Sequence, residues 1–306
     1  MKSIVLIIPY IGNWPLWFDA HLVSIAKNPS VNWLFITDCV IPNEFPENVR
    51  FIPATLESLN VKINNVLGID VPLSPRKLCD VRPAYGEIFK DYISDYDFWG
   101  FCDVDIIWGN MRNFLTESIL SENDIISSRK NSLAGHFSVF KNTSRINSLY
   151  LSIPNYFEML SVEKLMRIDE EAFTVHLKNL KTPTKIKIWW EEYLMNNENG
   201  IAHQEYYLDK WLWKNGKMLE MKNGVSINEV MYLHFINWKR TMKYCEVSYN
   251  DNPLQFYISY NGMHYQTHSR IVKVLNEFKN LFNGYYAILF RKRLLKKIKN
   301  KIKIKD

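Results

Sequence analysis

The apolar run Phe98-Trp99-Gly100-Phe101-Cys102, followed at once by Asp103-Val104-Asp105, constrains this chain more than any other feature. Five such residues read as a buried strand. A strand that is charged only at its carboxyl end belongs inside an open α/β sheet, where the carboxyl edges carry the ligand crevice. A turn directly after the strand lets both carboxylates face one ion. Hard oxygen ligands suit Mg²⁺ or Mn²⁺, and such ions commonly bring a diphosphate with them. The motif thus points to a metal that holds a nucleotide diphosphate. D-x-D also arises by chance as a pair of solvated loop carboxylates. Here the strand before it and Ile106-Ile107-Trp108-Gly109 after it argue against a solvated loop.

The rest of the first third fits that sheet. Residues 3–9 read as a first buried strand, and 14–27 as a helix with Pro15 near its start. Val31–Thr37 reads as a second strand ending at Asp38, and 49–52 as a third. Residues 55–67 and 83–93 read as helices, the latter leading into Phe98–Cys102. This order predicts an α/β fold with a mostly parallel, Rossmann-like sheet flanked by helices. Residues 124–127 and 137–140 add short strands, and 143–200 is mixed. Residues 203–213 are predicted to form a helix, and 231–235 a late strand or turn.

Composition matters at two points. The 306 residues are 47% hydrophobic and 14% aromatic, enough for a large core. Cys39, Cys79, Cys102 and Cys245 form no C-x-x-C pair, which predicts reduced core thiols in the cytosol. Met1-Lys2-Ser3 followed by residues 4–8 is too short for a signal peptide, and no run has transmembrane length. The charge sits at one end. Residues 291–306 carry nine Lys or Arg and one Asp, a net +8 in a chain of +6, which leaves residues 1–290 at −2. That distribution argues against a nucleic-acid-binding face. Phe290, Leu294, Leu295, Ile298 and Ile302 recur at helical spacing with Lys and Arg between them. Residues 271–306 therefore read as a basic amphipathic helix lying on an anionic membrane surface, separate from a domain over 1–270.

Several motifs together resemble a known family. The order strand, Asp38, helix, strand, Asp103-Val104-Asp105 and a late His looks like a GT-A glycosyltransferase. It is most similar to bacterial capsule and O-antigen glycosyltransferases that carry a segment like Lys77-Leu78-Cys79-Asp80-Val81-Arg82-Pro83-Ala84-Tyr85-Gly86 before D-x-D. Ile8-Pro9-Tyr10-Ile11-Gly12, Ala134-Gly135-His136-Phe137 and His234-Phe235-Ile236-Asn237-Trp238-Lys239 fit the same group. The similarity spans about residues 3–270.

The resemblance implies a metal-dependent, hexosyltransferase-like enzyme. It would move a sugar from a nucleotide-diphosphate donor, a UDP-sugar in the first instance, to a saccharide or lipid-linked glycan in bacterial surface polysaccharide synthesis. It would act in the cytoplasm, peripherally on the inner face of the cell membrane. Mn²⁺ or Mg²⁺ would be held by Asp103, Asp105 and His234. Pro9, Tyr10 and Gly12 would meet the nucleotide, Asp38 the uracil or ribose edge, and Lys77 or Arg82 the diphosphate, while Asp80 orders their segment. Gly135 and His136 would face the donor sugar. Lys239 corresponds to a phosphate-binding Lys, although the Gly and Pro usual around it are absent here. Glu205 is the first candidate base, with Asp169 and Glu170 in the alternative acidic cluster. Inverting chemistry needs such a base near the acceptor hydroxyl; retaining chemistry does not need it in that place. A sugar-nucleotide nucleotidyltransferase would want a Gly-rich basic loop after the first strand, and Ile11-Gly12-Asn13-Trp14 is neither. A non-catalytic membrane-bound glycan-binding or scaffold protein would not need two aspartates and the late His.

Overall fold

The computed structural model describes residues 1–180, 186–193 and 207–282, together with Phe290, Arg291, Leu294, Leu295 and Ile298. Strand β1 (Ile4–Tyr10) lies between β2 (Val31–Thr37) and β4 (Phe98–Cys102), parallel to both. β3 (Val49–Pro53) runs parallel to β2 at the edge. Five consecutive buried residues in β1 and in β4 are what a strand covered on both faces requires. Leu6, Ile4, Ile8, Trp33 and Phe35 pack on one face; Val5, Ile7, Leu34 and Ile36 pack on the other, against Leu59 and Ile63. That alternation is the period-two pleat of a strand.

The full sheet runs β3-β2-β1-β4-β7-β6-β8, with β6 (Ile125–Ser127), β7 (Phe137–Lys141) and β8 (Ile188–Trp190). β7 is antiparallel to both of its neighbours, and every other pair in the sheet is parallel. The chain winds outward through β1, β2 and β3, then returns to place β4 on the other side of β1. That reversal opens a crevice at the carboxyl ends of β1 and β4.

Helix α1 spans Phe18–Ala26, shorter than residues 14–27. Helix α2 (Leu56–Leu67) has a reciprocal cap: the Thr55 hydroxyl accepts from the Ser58 N–H, and Ser58 Oγ accepts from the Thr55 N–H. The expected helix at 83–93 is instead a 3₁₀ turn, Arg82–Ala84, and two short helical turns, Tyr85–Ile88 and Lys90–Ile93. Phe89, at φ −109° and ψ 16°, separates the two helical turns. The breaks let Tyr85, Ile88, Phe89 and Ile93 all enter one core.

A second sheet was not anticipated. It runs β11-β10-β9-β14-β15-β13. Its strands are β9 (Trp211–Lys214), β10 (Lys217–Lys222), β11 (Val225–Val230), β13 (Tyr244–Cys245), β14 (Gln255–Ser259) and β15 (Gly262–His264). The predicted helix over 203–213 is thereby corrected at Trp211–Lys214, which is strand; residues 203–206 lie outside the described residues. Asn215 and Gly216 have φ 48° and 79°, and Asn223 and Gly224 have φ 52° and 79°. Each pair closes a two-residue hairpin, the geometry Asn-Gly favours. Between the sheets, β5 (Ile106–Trp108) pairs antiparallel with β12 (Tyr232–His234). Trp213 Nε1 donates to the Trp108 carbonyl at 2.9 Å. Trp17 at the N-cap of α1, with Ala20 and Val23 of the helix, joins Ile107, Leu233 and the second sheet in one core.

The C-terminal helix Arg270–Phe282 is inverted relative to a core helix. It buries Asn276 and Asn280, and Tyr260 donates to Asn276 Oδ1 at 3.0 Å. Ile271, Leu275, Phe278, Leu281 and Phe282 face outward, and Phe290, Leu294, Leu295 and Ile298 are exposed as well. Ile302 and most of the basic tail lie outside the described residues. Among the described residues no helix is long and apolar enough to cross a membrane. All four cysteines are free thiols.

Candidate active site

β4 ends at Cys102, and Asp103 turns away with its N–H donating to the His136 carbonyl at 3.0 Å. Two residues on, Asp105 enters the β5–β12 ribbon, its carbonyl accepting from the Phe235 N–H at 3.1 Å. The ribbon register sets His234 opposite Ile106, beside Asp105. His234 Nε2 lies 3.3 Å from Asp105 Oδ2 and 3.8 Å from Asp103 Oδ2. One ligating atom from each of the three lies within 4.8 Å of the others. The pair has unequal exposure: Asp105 is fully buried, while the Asp103 side chain is 26% exposed and opens to solvent.

Charges surround this trio. Lys239, on the 3₁₀ turn Ile236–Arg240, places Nζ 2.8 Å from Asp105 Oδ2. Burial alone would raise the Asp105 carboxyl, but His234 and Lys239 outweigh it and hold it well below the usual carboxylate range. Asp105 is therefore an anion, and its buried Oδ1 accepts no hydrogen bond. A buried anionic oxygen without a donor is costly unless a cation reaches it. Two carboxylates and an imidazole at this spacing thus fit a divalent ion. The His136 ring stacks on His234 at 4.3 Å, and its Nε2 is 2.7 Å from the Tyr232 hydroxyl. That stack fixes the plane of the His234 imidazole.

Arg82 is committed to carboxylates here. One terminal nitrogen donates to Asp103 Oδ1 at 2.6 Å; the other donates to Asp169 Oδ2 at 2.9 Å and to the Gly135 carbonyl at 2.5 Å. It stacks over Phe101 at 5.0 Å. Its guanidinium therefore positions Asp103 and is not a free cation facing a diphosphate. Burial pushes Asp169 up to about 6, against the pull of Arg82. Glu170 Oε1 accepts the Gly135 N–H at 3.1 Å and pairs with Arg129, while Oε2 pairs with Arg167. A Cβ on Gly135 would come within 3.0 Å of both Asp169 and Glu170, so glycine is needed for this approach.

Lys77 is corrected: it does not face the crevice. Its buried ammonium pairs with Asp80 at 3.0 Å and donates to the carbonyls of Met159 and Lys164. Asp80 accepts from the N–H groups of Met166 and Ile168, both at 2.9 Å. The pair orders the loop that delivers Asp169 and Glu170. At the neighbouring strand ends Gly12, at φ 119°, donates its N–H to Asp38 Oδ1 at 2.7 Å. Pro9 and Tyr10 end β1, and the Tyr10 ring stacks on Trp14 at 5.2 Å. Glu205 lies outside the described residues. Sequence reasoning missed Tyr232, Arg129 and Arg167. Tyr232 lies two residues before His234 on the same strand, a period-two hint; Arg129 and Arg167 carry no local signal.

The structure brings Asp103, Asp105, His234, Lys239, His136, Arg82, Asp169, Glu170 and Gly135 together. Gly12 and Asp38 stand at adjacent strand ends of the same sheet.

The family described as "Family of unknown function (DUF6625)" matches residues 6–267. No curated protein matches the sequence. Among solved structures the chain is similar to the galactosyltransferase LgtC in complex with donor and acceptor sugar analogues, at TM-score 0.40 and 9% identity over 75% of this chain and 87% of that one. It is similar to the glycosyltransferase GlyE of Streptococcus pneumoniae TIGR4, at 0.36 and 15% over 67% and 50%. It is similar to mouse xyloside xylosyltransferase 1, at 0.41 and 9% over 76% and 97%.

Proposed function

We propose that this chain, which belongs to the DUF6625 family of unknown function, is a metal-dependent glycosyltransferase acting on a nucleotide-diphosphate sugar. The observation that carries the reading is the Asp103, Asp105 and His234 trio at the carboxyl edge of a parallel sheet, where strand order reverses. A nucleotide fits across the adjoining ends of β1 and β2, with Gly12 and Asp38 at its base or ribose and Tyr10 at its side. Asp103, Asp105 and His234 would hold Mn²⁺ or Mg²⁺, which as a Lewis acid neutralises a leaving diphosphate. Lys239, 41% exposed beside Asp105, adds a second positive charge for phosphate oxygens. Gly135 and His136 line the sugar side, and Glu170 locks the Gly135 turn in place. A general base from Glu205, Asp169 or Glu170 would take the acceptor proton in an inverting transfer.

The exposed face of Arg270–Phe282 and the basic residues after it support docking on an anionic membrane, where a lipid-linked glycan of a bacterial surface polysaccharide would be the acceptor. Isothermal titration of UDP in the presence of Mn²⁺ tests the central claim. Asp103→Asn and Asp105→Asn are each expected to weaken binding by about a hundredfold or more while leaving the circular dichroism unchanged. Unaltered affinity in both variants removes the metal site.

A further inference from the structure

A second convergence of ligating groups lies in the other sheet, far along the chain from Asp103. Asp209 lies two residues before β9, has φ 53° and is 6% exposed. His264 ends β15 and is 4% exposed. His268 lies just before the helix Arg270–Phe282. One ligating atom from each of these three lies within 4.8 Å of the others. Asp209 Oδ1 is the common point. His268 Nδ1 is 2.7 Å from it, His264 Nε2 3.1 Å, and Ser259 Oγ 3.4 Å. Ser259 Oγ is also 3.3 Å from His264 Nε2.

Those separations carry the argument. Ligands at about 2.0–2.2 Å from a tetrahedral zinc stand about 3.3 Å from one another. Three of the four distances lie within 0.2 Å of that value. Of these four, the His268 contact must lengthen, and the His268 side chain is the more exposed of the two imidazoles, 18% against 5%. The other carboxylate oxygen is already orientated. Asp209 Oδ2 accepts from Thr267 Oγ1 at 2.7 Å, from the His268 N–H at 2.8 Å and from Lys273 Nζ at 2.8 Å. These contacts hold the carboxylate in one plane and leave Oδ1 to the two imidazoles, as outer-shell groups do around a ligand. Two nitrogens and one carboxylate oxygen form a borderline-soft set that suits zinc over magnesium.

We propose that Asp209, His264 and His268 form a structural Zn²⁺ site, with its fourth corner toward Ser259 Oγ, that fastens the start of the C-terminal helix to the second sheet. The site is separate from the Asp103 trio and does not depend on the reaction proposed for it. Its ligands come from the lead-in to β9, the end of β15 and the lead-in to the helix. One ion would therefore tie the lead-in of the helix to two segments that flank β14 in the second sheet.

The test uses the full chain carrying Asp103→Asn and Asp105→Asn, so that the first trio takes up no ion. After dialysis against EDTA, one equivalent of Zn²⁺ is expected to remain bound through gel filtration and to raise the thermal midpoint. Co²⁺ in its place should give the strong visible absorption of a tetrahedral site. Adding His264→Gln and His268→Gln should weaken Zn²⁺ binding at least a hundredfold, read by competition with a chromophoric chelator. A chain with both histidines that retains no Zn²⁺ and gives only the weak octahedral Co²⁺ spectrum overturns the proposal. So does equal Zn²⁺ affinity with and without the two histidines. The cobalt spectrum needs no substitution within the cluster, so it decides even if the doubly substituted chain fails to fold.

Discussion

The two Asp–His clusters differ in what is left open. In the first, two carboxylates meet one imidazole; Asp103 is partly exposed and the buried Asp105 Oδ1 accepts nothing. In the second, one carboxylate meets two imidazoles and both of its oxygens have donors or cations beside them. The first is hard, anionic and accessible, suited to an ion that arrives and leaves with a phosphate ligand. The second is softer and closed, suited to an ion or a hydrogen-bonded knot that stays. Burial is similar in both. Which group remains without a partner separates a site that exchanges from one that holds.

Stability measurements break this comparison most directly. Asp209→Asn should cost about 3 kcal/mol in urea unfolding at neutral pH with EDTA present, because Lys273, His264 and His268 lose the charge they surround. Asp105→Asn under the same conditions should cost less, since its carboxylate lacks a full set of donors. An equal loss at both positions erases the distinction.

The pH dependence should separate the regions by sign. The Asp209 carboxyl is held down to about 2: burial works upward, and Lys273, Thr267 and His268 outweigh it. Its stabilisation is present above the unfolded value near 4 and is lost as pH falls through about 2. Asp169 is raised to about 6, so its folded form binds a proton more tightly than the unfolded chain. Stability should therefore fall by roughly 2 kcal/mol as pH rises from about 4 to about 7, and Asp169→Asn should flatten that slope. An unchanged slope in Asp169→Asn places the titration elsewhere.

A smaller effect belongs to His234. His234→Ala should weaken Mn²⁺-dependent UDP binding roughly tenfold, about 1.4 kcal/mol, because a neutral ligand contributes less charge than a carboxylate. Loss of folding with unaltered affinity in the folded fraction makes it a core histidine. Smallest in free energy is the tail. The full chain should sediment with anionic vesicles and release in high salt, whereas a chain ending at Asn283 should bind less. Equal sedimentation of the two removes the electrostatic anchor.

Legibility followed the same divide. β4 is a continuous apolar run, β1 is apolar through Ile4–Ile8 and β2 through Trp33–Ile36, so the first sheet and its carboxyl edge could be read directly. The second sheet could not, because Leu208, Trp211 and Leu212 recur at i, i+3 and i+4, a helical spacing. The Asn215-Gly216 and Asn223-Gly224 pairs were the available hairpin signal. Lys77 reads as a phosphate cation because it lies just before a helix in the segment that carries the family resemblance. Only tertiary packing shows that it is buried against Asp80 and two carbonyls. Asp169 and Glu170 are 66 and 67 residues from Asp103, and no local pattern links such distant groups.

Arg82 links the proposed metal site to a titratable carboxyl. It grips Asp103 with one nitrogen and Asp169 with the other. The divalent ion proposed for Asp103 would compete for that carboxylate, and a guanidinium relieved of Asp103 would lean on Asp169. Asp169, raised to about 6, would then give up its proton more readily, so loading of the proposed metal and nucleotide would expel a fraction of a proton near pH 6. Titration of UDP and Mn²⁺ in two buffers of unlike ionisation heat would read that proton, and identical heats would mean that the two aspartates are not coupled.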